Sequence, residues 1–240
     1  MNRLSMLAVL ATTLVLNWTR IEYSELRGWT PMKVTTWDAL AYYAYLPATF
    51  IDDDIEHLPW VERIDSVYDV VGTGGLYQLI PLENGNRVNK CLYGVAFMEL
   101  PAFLVAHAVA GATGFPQDGF SSQYQWAMGL NPLLFAMLGL LALRSVLLRW
   151  YHDHVVAFVL ITSTLATNAI QYISVDGAQT HGYLFALYAF ILWATVKWHE
   201  KPGIGYAALI GGIISLATFT RPTELIMLLI PLLWNTSTKE

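Results

Sequence analysis

Long runs of apolar residues recur along this chain and are separated by one acidic polar segment. Of the 240 residues, 55% are hydrophobic and 13% are charged, whereas roughly 25% charged residues are usual in a soluble domain. Apolar runs of about 20 residues are long enough to cross a bilayer as helices. Because lipid offers no partner to backbone polar groups, the sequence predicts an all-α, polytopic bundle of transmembrane helices.

The apolar runs divide the chain, predicted to be a single membrane domain over 1–240, into successive segments. Residues 1–18 form a first span that is short for a bilayer, so we expect Arg3 and Arg20 to extend to the interface at its two ends. A polar loop over 19–90 follows, then an apolar segment over 91–113. The remaining spans over 124–234 are predicted at Tyr124–Leu148, Val155–Ile173, Tyr183–Lys197 and Ile204–Thr220, with a half-length run at Leu225–Trp234.

The charges of the connections predict the orientation of the chain. Two connections are basic, one around Arg149 and one around Lys197, whereas 114–122 and 174–182 contain no Lys or Arg. Basic connections favour the cytoplasm, so the connection 114–122 would lie outside. If Met1 is cytoplasmic, the polar loop also lies outside. The segment 91–113 would then enter and leave the membrane by the same face. We therefore expect re-entrant or surface-lying helices there, interrupted near Pro101. The opposite orientation, with the polar loop in the cytoplasm, is the alternative.

The distribution of charge also limits the partners. The formal net charge is −5, and 11 of the 18 acidic residues lie between Arg20 and Lys90. An acidic surface argues against nucleic acid as a partner and leaves membrane lipids as the expected environment. The single cysteine excludes an internal disulfide and a cysteine-based metal site.

One stretch near the start of the polar loop, Thr35 to Pro47, combines a carboxylate with tyrosines. In a helix Asp38, Tyr42 and Tyr45 would share one face, because they are spaced i, i+4 and i+7. Two structural interpretations compete with a functional one. Thr35 and Asp38 have the spacing of a capping box, and the tyrosines suit an interfacial aromatic belt.

Four segments, taken in order, resemble bacterial integral-membrane glycosyltransferases of the GT-C type. They are Trp37–Pro47, Asn89–Phe97 together with Pro101–His107, Thr180–Leu187, and Thr220–Glu224. That superfamily includes protein O-mannosyltransferases and the transferase that adds aminoarabinose to lipid A. The resemblance implies a long outer-face loop after the first span and surface-lying helices after that loop. Its members have more spans than this chain, so we expect an N-terminal portion of a longer enzyme or a reduced member.

The resemblance also implies a function and roles for single residues. The expected reaction moves a sugar from a polyprenyl-phosphate-linked donor to an acceptor at the outer face of the inner membrane. Asp38 would be the catalytic base, and Arg221 would contact the lipid phosphate, since an intramembrane charge is by default a functional candidate. Tyr42, Tyr45 and Lys90 are further candidates for substrate binding. Glu224 pairing with Arg221 is the alternative for that arginine.

Asp176 and His181 are candidate ligands of a divalent cation, Mg or Mn. With Asp38 or the acidic run Asp52–Glu56 they would form an oxygen-rich site. The alternatives are a solvated connection with a capping Asp176 and a solvated acidic face. Glu99 is a weaker candidate for contact with the acceptor or with a metal, and His107 is expected to have a packing or interfacial role.

Two other functional classes stay open at this point. A flippase or carrier of lipid-linked sugars would also use intramembrane charge, but it predicts internal repeats, which the sequence does not display. A noncatalytic membrane scaffold is the third hypothesis. The residue pattern does not distinguish lipid, glycan and protein acceptors.

Overall fold

The computed structural model describes residues 2–29, 32–72 and 75–234. Helices dominate this part of the chain, as predicted, and its strands are confined to one short antiparallel hairpin. The elements in order are α1 (Arg3–Leu26), α2 (Asp38–Tyr43), α3 (Tyr45–Phe50), α4 (Trp60–Tyr68), β1 (Leu79–Pro81), β2 (Arg87–Asn89), α5 (Gly94–Thr113), α6 (Ser122–Leu147), α7 (Asp153–Leu165), a π-helical segment (Gln171–Val175), α8 (Thr180–Glu200), α9 (Ile204–Thr220), a 3-10 segment (Pro222–Leu228) and α10 (Leu229–Leu233).

Three of the described helices, α1, α5 and α6, are long and apolar enough to cross a membrane. Their outward-facing apolar side chains, such as Leu14 at 71% exposure and Phe97 at 63%, would be costly in water. A bilayer is the solvent in which such surfaces are stable. The chain is therefore consistent with a membrane protein.

The first helix is longer than the predicted span of 1–18. It continues through Arg20 and ends at Leu26, just before Gly28, whose φ of +67° ends the helical conformation. Arg20 does not extend to an interface as expected, because it is only 1% exposed. Its guanidinium donates to the carbonyl oxygens of Ser174 and Val175 and to Ser24 Oγ. Burial of this charge therefore ties α1 to the π-helical segment.

The later spans are helices, with one exception to their predicted continuity. Helices α6, α8 and α9 cover the predicted segments, and α9 has the predicted bounds, Ile204–Thr220. The predicted span Val155–Ile173 is instead divided into α7, which ends at Leu165, and the π-helical segment. Near the break, Thr164 and Thr167 hydroxyls donate to backbone carbonyls one turn earlier. Such bonds compete with regular helix formation.

Close helix contacts hold the bundle together around α6. A Cβ at Gly139 of α6 would lie 2.9 Å from Ala186 Cα of α8. The two helices therefore pack closely at this point, because both residues are small. A buried polar network joins the same helices to α5. Asn131 Nδ2 donates to the Met98 carbonyl and to Tyr183 Oη, at 3.2 and 3.0 Å.

The polar segment after α1 is folded rather than extended. It contains α2, α3, α4 and the hairpin, and its buried apolar side chains form one core with α5 and the start of α6. The Tyr43 ring is fully buried and packs edge-on against Phe103 and Phe120. This core fixes the position of α2, which carries Asp38.

Helix α5 is continuous through Pro101, so the expected interruption is not observed. Both ends of α5 nevertheless contact the polar segment. Before the helix, the Cys91 carbonyl accepts from Tyr45 Oη. After it, the Gly119 carbonyl accepts from Tyr43 Oη, and Asp118 accepts from Tyr68 Oη. The polar segment thus lies along the length of α5.

Candidate functional site

Asp38 begins α2 immediately after Trp37, which has a φ of +54° and a ψ of −128°. The Asp38 carboxylate accepts hydrogen bonds from Tyr77 Oη at 2.7 Å and from Gln78 Nε2 at 3.1 Å. The hydrogen bond to Asp38 is the main cause that raises the pKa of Tyr77 to about 12. Both donors come from the chain entering β1, so the hairpin holds this carboxylate in place.

The capping-box alternative for Asp38 is not what the structure contains. No side chain caps the N-terminus of α2. The Thr35 hydroxyl instead accepts from Gln125 Nε2 at 2.7 Å and is buried against α6. The Asp38 carboxylate is therefore free of a capping role and faces the hairpin.

The hairpin brings a cation next to these donors. The Lys90 ammonium lies 5.3 Å from the centre of the Tyr77 ring, a cation–π distance. Lys90 N donates to the Gln78 carbonyl at 2.9 Å, and Asn89 Nδ2 donates to the Ala41 carbonyl at 2.7 Å. The end of the hairpin is thereby attached to α2.

Tyr42 is within electrostatic range of Asp38, Cys91 and Arg221. Burial is the main cause that raises its pKa to about 12. The neighbouring Cys91 and Asp38 raise that pKa further, and Arg221 lowers it. The Cys91 thiol is likewise within electrostatic range of Asp38, Lys90 and Arg221.

Arg221 ends α9 and faces α8 rather than its own helix. Its Nη2 donates to His181 Nε2 at 3.3 Å. The alternative pairing with Glu224 is not observed, since that carboxylate accepts from Tyr188 Oη at 2.7 Å. Within the described part of the chain, Arg221 has no carboxylate partner.

Tyr45 has a different role from Tyr42. Helix α2 ends at Tyr43, and Tyr45 begins α3, so the three predicted residues do not lie on one continuous helix. Tyr45 Oη donates to the Cys91 carbonyl at 2.6 Å, and its ring packs edge-on against Tyr93. Tyr45 thus anchors the segment that carries Lys90 and Cys91.

His181, in the first turn of α8, contacts Arg221, whereas Asp176 lies in the connection between the π-helical segment and α8. The His181 ring lies 4.2 Å from that of Tyr172, centre to centre. Asp176 and Arg221 are both within electrostatic range of His181. Asp176 accepts from Gln171 Nε2 at 2.9 Å, across the connection rather than toward Asp38.

The residues described form what we call the Asp38 cluster. Its members are Asp38, Tyr42, Tyr77, Gln78, Lys90, Cys91, His181 and Arg221. It contains one carboxylate, two cations and two phenols, drawn from the whole length of the chain. Sequence reasoning found five of the eight and missed Tyr77, Gln78 and Cys91, whose positions depend on the hairpin.

The structure does not bring the predicted metal ligands together into one group. Among the described residues, no group of three or more His, Cys, Asp and Glu side chains could hold a metal ion. The Arg221 guanidinium lies against His181 Nε2 and would repel a cation there. In the acidic run, Asp52 pairs with Arg63 and Asp54 accepts from the backbone N–H groups of Glu56 and His57.

Glu99 lies apart from the cluster, in the core of the bundle. It is 1% exposed, and its Oε1 accepts from Tyr183 Oη at 3.1 Å. Its Oε2 has no hydrogen-bond partner among the described residues. His107 Nδ1 contacts Tyr124 Oη at 2.6 Å and its ring stacks on Phe103, so it has the packing role expected.

No protein-family model, curated protein or solved structure matches the chain. The resemblance to GT-C glycosyltransferases rests on the four motif segments alone. Asp38, Lys90, His181 and Arg221 each belong to one of those segments, and the fold brings all four into the Asp38 cluster.

Proposed function

We propose that this chain is a GT-C type glycosyltransferase. It would move a sugar from a polyprenyl-phosphate-linked donor to an acceptor hydroxyl at the outer face of the inner membrane. The Asp38 cluster would be its active centre.

One observation carries the proposal. The carboxylate of Asp38 shares a cluster with two cations, Lys90 and Arg221. Among the residues that the structure describes, neither cation has a carboxylate as an ion-pair partner. A partly buried guanidinium without a counter-charge is unfavourable until an anion binds. Lipid-linked sugar donors provide such an anion as phosphate, which arginine binds through two parallel hydrogen bonds.

The reaction requires a base on one side of the sugar and positive charge on the other. Asp38 would accept the proton of the acceptor hydroxyl as its oxygen forms a bond to the anomeric carbon. The bond from the anomeric carbon to the phosphate oxygen would break, and its electron pair would leave with polyprenyl phosphate. Arg221 and Lys90 would compensate the charge that develops there.

The tyrosines would position the substrate. With a pKa of about 12, the Tyr42 phenol stays protonated near neutral pH and can donate a hydrogen bond to a phosphate or sugar oxygen. Tyr45 would act indirectly, by holding the Cys91 backbone.

The proposed location follows from the apolar helices and from charge. The chain would be a multi-pass inner-membrane protein with the polar segment on the periplasmic or exterior face. Support comes from the three helices that are long and apolar enough to span a bilayer and from the basic connections at Arg149 and Lys197.

To test this proposal, polyprenyl-phosphate donors that carry a labelled hexose or pentose are added to membranes that contain the chain. Transfer is measured as label entering the lipid, glycan and protein fractions. Asp38→Asn should lower transfer about 10²–10⁴-fold, the range for loss of a general base. Glu83→Gln is the matched control, because it makes the same change at an exposed carboxylate of the hairpin turn.

Arg221→Gln should weaken donor binding, and Arg221→Lys should restore part of it. Loss of a charge-assisted hydrogen bond costs about 1.5–3 kcal/mol, which is about 10- to 150-fold in affinity. Full transfer by Asp38→Asn would remove that residue from the mechanism. Binding of polyprenyl phosphate without turnover would favour the scaffold, and translocation of a lipid-linked sugar in vesicles would favour the flippase.

A further inference from the structure

A cavity, which we call the Arg20 cleft, lies beside the start of α2. It has a volume of about 260 Å³ and is open on one side. Its walls come from the end of α1, from the chain leading into α2, and from the connection between the π-helical segment and α8. The Asp38 carboxylate does not line it, but the neighbouring Trp37 and Ala39 do.

The cleft concentrates positive charge in a chain with a net charge of −5. Its ionisable lining consists of three cations, Arg20, Arg27 and Lys33, one carboxylate, Asp176, and the phenol of Tyr23. Lys33 also pairs with Asp69, whose carboxylate is 80% exposed and lies outside the lining. With the Lys33–Asp69 ion pair counted, three positive charges face two negative ones, so the net excess is one.

Arg20 contributes a buried and incompletely compensated charge to the wall of the cleft. It is 1% exposed, and its Nε has no hydrogen-bond partner in the described part of the chain. Its other nitrogens donate to two carbonyls and a hydroxyl, all neutral acceptors. No carboxylate lies within 4 Å of this buried guanidinium among the described residues, so its charge is only partly compensated.

Arg27 is held at the mouth of the cleft without being neutralised. Its guanidinium lies 5.3 Å from the ring centre of Trp29 and 5.8 Å from that of Tyr23. Stacking of this kind orders the side chain and leaves its N–H groups available. A guanidinium ordered in this way can bind an oxyanion through two parallel hydrogen bonds.

We propose that the Arg20 cleft is an anion-binding site for a phosphate monoester. A monoester carries a charge of about −1.5 to −2 at pH 7 and three strong acceptor oxygens, so it can interact with several of these cations at once, whereas a diester or a carboxylate carries only one negative charge. The aromatic rings of Trp29 and Trp37 would pack against the group to which the phosphate is attached. This site is distinct from the Asp38 cluster, and the inference does not depend on the proposed function.

Calorimetry on the full chain in a nonionic detergent tests this site with three probes. Glycerol 3-phosphate is a soluble monoester, dioctanoyl phosphatidic acid is a lipid monoester, and dioctanoyl phosphatidylglycerol is a lipid diester. We expect at least one monoester to bind more tightly than the diester. Binding of the soluble probe identifies a free phosphate compound as the ligand, and binding of the lipid monoester alone identifies a headgroup.

Arg27→Gln assigns the binding to the cleft. Arg27 is exposed, so its replacement should leave the fold intact, and monoester affinity should fall about tenfold or more. Arg63→Gln is the matched control, because it removes an exposed arginine of α4 that pairs with Asp52. Arg221→Gln distinguishes this site from the Asp38 cluster.

Three results would overturn the proposal. The first is that neither monoester binds, and the second is that the diester binds as tightly as the monoesters. The third is that affinity survives Arg27→Gln, or falls equally in Arg63→Gln. If Arg221→Gln abolishes binding while Arg27→Gln does not, the phosphate belongs to the Asp38 cluster and the cleft is not the site.

Discussion

Gly94 is the residue at which α5 approaches the end of α9, and Gly94→Ala tests how tightly the Asp38 cluster is held. A Cβ at this position would lie 2.5 Å from Thr220 N and 2.6 Å from the carbonyl carbon of Phe219. Ordinary contacts of a Cβ begin at 3.4 Å. The two backbones would therefore have to separate by roughly 0.9 Å, more than close-packed interiors accommodate without cost.

The magnitude follows from the nature of the obstructing atoms. Overpacking costs about 1–3 kcal/mol, and we expect the upper end because backbone atoms cannot rotate away. For a chain of this size, 1 kcal/mol corresponds to about 2–4 °C in Tm. Gly94→Ala should thus lower Tm by about 6–12 °C, measured by thermal unfolding in detergent. The proposed sugar transfer should also fall, because Lys90 and Cys91 lie just before the displaced helix α5.

Gly212→Ala in α9 is the control, because nothing lies within 4 Å of a Cβ there. Alanine is the better helix former by about 1 kcal/mol, so Tm should stay unchanged or rise. The double variant Gly94→Ala with Thr220→Ala adds a stricter condition. It removes the threonine hydroxyl but leaves the backbone obstruction, so it should not recover stability. Full recovery, or equal Tm for both single glycine variants, would refute the reasoning.

Two further predictions concern polar contacts. The pKa of Tyr77 is raised from 10.0 to about 12, mainly by its hydrogen bond to Asp38, so this contribution to stability is complete below pH 10 and is lost as pH rises through about 12. Tyr77→Phe should make the loss of Tm between pH 10 and 12 smaller, and an unchanged loss would contradict this. Asn131→Ala removes the amide that donates to the buried Met98 carbonyl and Tyr183 Oη. The free energy of unfolding should fall by about 1–3 kcal/mol. An unchanged denaturation midpoint would show that other groups replace the amide.

The sequence predicted the helices whose formation depends on apolar composition. Helices α6, α8 and α9 follow from long apolar runs, because such runs are stable in lipid only as helices. The division of α7 from the π-helical segment was not predicted, since it involves the threonine hydroxyls near Leu165. The burial of Arg20 was missed for a related reason, because its acceptors lie more than 150 residues away along the chain.

The Asp38 cluster could be predicted only in part. Asp38, Tyr42 and Arg221 have recognisable chemistry in their local sequence, whereas Tyr77 and Cys91 do not. Their proximity to Asp38 results from the register of the hairpin, in which Leu79 pairs with Asn89. Side chains brought together by strand pairing have no fixed spacing in sequence, so no motif identifies them.

The contacts at both ends of α5 have a consequence for the lipid around the protein. A helix of 20 residues is about 30 Å long and about 10 Å wide. In the surface-lying orientation that the sequence predicts, α5 would occupy the outer leaflet beneath the polar segment and would displace about 300 Å² of that leaflet and none of the other. Such an asymmetric wedge is accommodated best where the bilayer curves toward the helix. The protein would then gather at curved regions of the membrane and impose curvature on flat ones.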